Sequence, residues 1–143
     1  MPPRFLSFST PAVLALTLLL SGAAPIVHAG VPEPQAVVEG SKDPVAIMWQ
    51  RVQRGEATLD ATSEKTFLAS VLRELKVPVE SQVLVFSKTS LQNTHISPRT
   101  PRALYFNEEC YVGWVQGGMM ELIGMDGERG PQYYTLSIPS QAG

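Results

Sequence analysis

One cysteine, Cys110, stands in a chain of 143 residues, and that shortage removes several chemistries at once. A single thiol cannot close an intrachain disulfide, supply the paired thiolates of a zinc site, or form the C-x-x-C-H attachment of a covalent haem. Histidine is almost as scarce. Only His28 and His95 occur, and no H-E-x-x-H, G-x-S-x-G or G-x-G-x-x-G pattern is present. Acidic residues are missing from Ser81 to Asn107, a span that contains Lys88, His95, Arg99 and Arg102. In a chain of net charge −2 that span is a local positive island, while the overall sign argues against nucleic acid as a partner.

Long apolar runs are confined to the start of the chain. Arg4 and the amino terminus form a short positive region, Ala12–Leu20 (AVLALTLLL) an apolar core, Gly22 and Pro25 a helix break, and Val27-His28-Ala29 a cleavage site before Gly30. The run falls short of the roughly 20 residues that span a bilayer, and Pro25 interrupts the weaker apolar stretch that trails on to Val27. Residues 1–29 therefore read as a cleaved signal peptide, which implies a periplasmic or secreted protein with no stable membrane span after cleavage. With Arg4 and His28 removed, 10 basic residues face 13 acidic ones.

Residues 30–42 carry two prolines and little periodicity, as a loosely held leader would. Asp43 is then an N-cap and Pro44 a first helical residue, with Val45, Met48, Trp49 and Val52 at helical spacing and Gly55 as the stop. Thr62 or Ser63 caps a second helix whose stripe is Phe67, Leu68, Val71, Leu72 and Leu75, ended by Lys76-Val77-Pro78. Val83–Phe86 is a short apolar run of β-formers, expected to be a strand buried on both faces. Four further β-like runs come after it, 103–106, 110–115, 119–125 and 132–138, joined by Gly-rich connections. The reading is a single α+β domain over residues 43–138, two helices packed on a small antiparallel β-meander, with 139–143 as a tail.

Three chemical readings compete for the segment after Phe86. A phosphate-binding loop needs glycines where Gln82 and Ser87 stand. A Cys110 nucleophile paired with His95 would have its thiol pKa raised by Glu108 and Glu109. An anion or partner site is better founded, because Ser97-Pro98-Arg99 and Thr100-Pro101-Arg102 would set two arginines on one side of a polyproline-like backbone. The competing structural role pairs both arginines with Glu108, Glu109 or Asp126. The candidate contact set is Lys88, Thr89, His95, Arg99, Arg102, Tyr105, Asn107 and Trp114, with no catalytic residue and no metal ligand. A small hydrolase or ligand-binding enzyme for an anionic substrate, using His95, Arg99 and Arg102, is the alternative.

The runs QVLVFSKTSLQ (82–92), ISPRTPRALYFN (96–107), YVGWVQGG (111–118) and YYTL (133–136), with DPVA (43–46), resemble the N-terminal region of exported bacterial multihaem c-type cytochrome-like proteins. The resemblance implies a periplasmic module that precedes haem-binding sequence and helps to position it. Without a C-x-x-C-H, no haem ligand carries over. Haem is expected only in a partner or a downstream domain, the chain being either a stand-alone module or a reading frame cut short. A c-type cytochrome or another periplasmic protein is the implied partner.

Overall fold

Asp43 starts the fold in the way its position suggests. A computed structural model describes residues 40–87 and 90–137; residues 1–39, which hold the expected signal peptide and most of the expected leader, together with Lys88, Thr89 and residues 138–143, lie outside the described residues. Asp43 Oδ1 accepts the N–H groups of Val45 (2.9 Å) and Ala46 (3.2 Å), satisfying two otherwise unpaired donors of helix α1, Pro44–Gln53. Gly55, at φ 72°, closes that helix with bonds from its own N–H to Val52 and from Glu56 N–H to Arg51.

Helix α2, Glu64–Glu74, is capped by Ser63, whose hydroxyl accepts from Thr66 N–H while the Thr66 hydroxyl accepts from Ser63 N–H. Its end differs from expectation. Lys76 takes the left-handed conformation at φ 54°, donating to Arg73 O (3.1 Å) while Val77 donates to Leu72 O (2.9 Å). The same motif that Gly55 serves after α1 thus terminates α2 two residues ahead of Pro78, with a side-chain-bearing residue in the glycine position. The Asn107 amide completes this end by donating to the carbonyls of Leu75 and Lys76, 3.2 Å each.

A short 3-10 turn, Val79–Ser81, leads into five strands: β1 Val83–Val85, β2 Arg102–Phe106, β3 Cys110–Trp114, β4 Met120–Asp126 and β5 Gly130–Leu136. They form one antiparallel sheet in the order β1-β2-β3-β4-β5, so the α+β meander expected from the sequence is what the chain adopts. Ala103, Tyr105, Cys110, Val112, Met120, Leu122, Tyr134 and Leu136 face the helices and share one core with Met48, Trp49, Phe67 and Val71. β1 departs from the reading of a doubly buried strand: it is the sheet edge, and Val83 and Leu84 are about half exposed, at 48% and 51%. Apolar composition alone does not separate a central strand from an edge. Among the described residues, no helix is long and apolar enough to cross a membrane.

The two layers are joined by a buried polar cluster. Asp43 is fully buried; its Oδ2 accepts the hydroxyls of Tyr134 on β5 and of Ser41 (2.7 Å). A Cβ on Gly124 of β4 would fall on the Asp43 carboxylate, so glycine is needed there for close approach. Ser41 also lies 3.2 Å from Asp126, which accepts the N–H groups of Lys42, Glu128 and Arg129. Ser41 and Lys42, expected in a loosely held leader, are therefore fastened to the β4–β5 hairpin.

Two outcomes test these assignments. Lys76→Gly should stabilise the domain by about 1 kcal/mol, since a left-handed residue without a Cβ is relieved of strain. Thermal unfolding should move up by about 4–8 °C in consequence. In pH titrations, the three N–H donors to Asp126, led by Lys42, hold its carboxyl well below the usual range. Its folded pKa is below its unfolded one, so its contribution is complete above about pH 4 and is lost as pH falls further. Tyr134, pushed up to about 12 by burial and by its bond to Asp43, contributes below about pH 10 and loses that contribution toward its folded pKa. Melting temperatures should fall at both extremes, with Asp126→Asn flattening the acid limb and Tyr134→Phe the alkaline one.

Candidate functional site

The face of the sheet turned away from the helices is the one left uncovered among the described residues. Its composition is set by register: Phe106 pairs with Tyr111, Tyr111 with Ile123, and Ile123 with Tyr133, which puts an apolar and aromatic row across β2 to β5. Phe106 and Tyr111 stack with ring centroids 6.0 Å apart and planes at 26°. Tyr133 is 67% exposed, and Met125 continues the apolar surface beside it. Below this row a groove of about 540 Å³ opens between Leu91, Leu104, Tyr111, Ile123 and Tyr133, with Arg102 and Glu121 along its polar side.

Arg102 reaches that position because of a missing side chain. It stands on β2, crosses β3 above Gly113, and forms an ion pair with Glu121 on β4. A Cβ at residue 113 would come within 2.5 Å of the Arg102 guanidinium. The Ser90 hydroxyl lies against both carboxylate oxygens of Glu121 (2.9 and 3.1 Å), binding the segment after β1 to the sheet. Gln92 fastens it a second time: its amide donates to Met119 O at 2.8 Å, and its carbonyl oxygen accepts from Met119 N–H. The Arg102 and Glu121 side chains are only 20% and 15% exposed, so their desolvation offsets much of their attraction. The pair secures loop position more than net stability.

The arginines part company at this point. Ser97–Thr100 closes into a turn with reciprocal backbone bonds of 3.1 Å, and the two hydroxyls meet at 2.7 Å. Pro98 suits the second position of such a turn, which displaces the expected polyproline-like extension. Arg99 is left exposed at the tip, and its guanidinium has no partner among the described residues, whereas Arg102 is neutralised by Glu121 rather than by Glu108, Glu109 or Asp126. His95 is exposed on the loop, with its carbonyl accepting the Thr100 hydroxyl. Neither His95 nor Arg99 lines the groove that Arg102 borders.

Three other expected contact residues are used inside the fold. Tyr105 is buried and accepts from the Gln82 amide. Asn107 caps α2 with its amide nitrogen, while its oxygen accepts from Glu109 (2.9 Å) and Cys110 (2.7 Å). Trp114 packs against the core. Cys110 is fully buried, and burial, then Glu109 and Asp43, push its thiol up to about 12, so it stays protonated. Among the described residues no group of three His, Cys, Asp or Glu side chains could hold a metal ion.

Sequence reasoning missed Gly113, Glu121, Gln92 and Tyr133. One signal pointed to Glu121: it is the lone charge within the apolar run Met119–Met125, opposite a span that has cations and no acids. Compared with protein-family models, curated proteins and solved structures, the chain matches none of them.

The ion pair supplies a direct test. Glu121→Ala should destabilise the domain by about 3 kcal/mol because it strands a largely buried guanidinium, while the double change Arg102→Met with Glu121→Leu should cost far less. Denaturant unfolding of the two variants measures the difference.

Proposed function

We propose that this chain is an exported, non-catalytic binding module whose contact surface is the outer face of the sheet, with the fastened loop of residues 90–100 as its rim. The observation that supports this most is the row of exposed Phe106, Tyr111 and Tyr133, continued by the half-buried Ile123, above the groove. Contiguous exposed apolar and aromatic surface on a small domain marks an interaction site. The charged pair beside it is internally neutral, which favours an uncharged, apolar partner surface over a free carboxylate or phosphate. Arg99, exposed at the rim, supplies steering toward acidic groups that border such an apolar patch on the partner.

The resemblance of runs 82–92, 96–107 and 111–118 to the leading region of multihaem cytochrome-like proteins supports a redox partner, with haem carried by that partner. The N-terminal signal pattern supports a periplasmic setting.

A purified periplasmic c-type cytochrome, titrated onto the immobilised chain, tests the reading. Tyr111→Ser with Tyr133→Ser should weaken binding at least about tenfold while leaving unfolding nearly unchanged, as expected of exposed positions. Arg99→Ala should slow association and reduce its salt dependence. Equal binding by the double tyrosine variant would remove the outer face from consideration, and a stoichiometric haem absorption band from the chain alone would overturn the assignment of haem to the partner.

A further inference from the structure

The two edges of the sheet are not alike. β5, seven residues long, carries Pro131, a residue without an N–H that blunts strand addition. β1 carries no such protection. Among the described residues, Val83, Leu84 and Val85 pair with β2 on one side only, at register Val83 with Leu104, Leu84 with Ala103 and Val85 with Arg102. The stretch Ser81–Ser87 contains no charge, no proline and no glycine, and Val83, Leu84 and Phe86 are each about half exposed (48%, 51% and 57%). Alternate N–H and C=O groups of this strand point away from β2, where another strand can accept and donate to them.

We infer that β1 is a self-association edge, pairing antiparallel with β1 of a second copy to make one ten-stranded sheet. The register that centres on Leu84 sets Leu84 opposite Leu84 of the second copy, and Val83 opposite its Val85. Every cross-strand pair in the strand proper is then aliphatic, the type that stabilises a pleated surface. Every neighbouring pair in the sheet is antiparallel, and an antiparallel β1–β1 pair continues that pattern with a ladder slightly more stable per residue than a parallel one. A two-fold axis through Leu84 also closes the assembly, whereas β1 against β5 of the next copy would leave open ends and meet Pro131. The inference is independent of the outer face: the axis runs through the edge and leaves Tyr111 and Tyr133 uncovered.

Sedimentation equilibrium of the full chain measures the mass. A concentration-dependent mass reaching twice that of one chain is expected. Leu84→Lys places two like charges at the axis and should weaken the dimer at least about tenfold, as should Leu84→Glu. Mixing the two variants should restore a dimer that neither forms alone, a readout that misfolding of either variant cannot produce. Tyr111→Ser with Tyr133→Ser should leave the mass unchanged. A monomer at all concentrations, a dimer indifferent to Leu84→Lys, a mixture no better than its parts, or a mass that falls with the tyrosine variant would each overturn the assignment. Growth beyond the dimer that Leu84→Lys does not stop would do the same.

Discussion

The buried carboxylate of Asp43 is the constraint on which the arrangement of layers depends. A helix N-terminus needs acceptors for its free N–H groups, and a surface helix can take them from water. Here the acceptor lies at the base of the core, so it must be satisfied from every direction: by Val45 and Ala46 from its own helix, by Tyr134 from β5 and by Ser41 from the preceding turn. An unpaired carboxylate in that position would cost several kcal/mol. The register of α1 on the sheet is therefore chosen by hydrogen bonding, and the aliphatic contacts of Met48 and Val52 are fixed as a result.

Glycine makes the approach possible, and it does so twice. Gly124 of β4 opens the inner face to Asp43, while Gly113 of β3 opens the outer face to Arg102. Neither takes a positive φ; both are required for space. Each opening admits a charged group that fastens an element outside the sheet, α1 on one face and the Ser90–Gln92 loop on the other. The sheet is thus locked on both faces by polar contacts, although most of its area is apolar.

Local signals carried the reading of the sequence as far as local physics reaches. Asp43, Pro44 and Gly55 mark the ends of α1 through capping alone, and the alternation in the last four strands is clear because one face meets the core. Long-range pairing was not legible. Glu121 stands out as the lone charge of its apolar run, but nothing names Arg102, nineteen residues away across two turns and a strand, as its partner, and nothing in Val83–Phe86 states that its neighbour is on one side only. Asn107 and Tyr105 looked available for binding because their partners, the end of α2 and Gln82, come from elsewhere in the chain.

The acid-free span also changes meaning once its geometry is known. Its two arginines do not act together: Arg102 is consumed by Glu121, and Arg99 projects from a turn stabilised by the hydroxyls of Ser97 and Thr100. The span contributes a rigid border, held at Ser90 and Gln92, along an aromatic surface on the side of the sheet away from α1 and α2. A groove with neutralised charge and aromatic walls discriminates by shape and desolvation. Under the binding role proposed above, selectivity would rest on how well an apolar partner surface displaces water from Tyr111 and Tyr133, with the exposed guanidinium of Arg99 setting the rate of encounter.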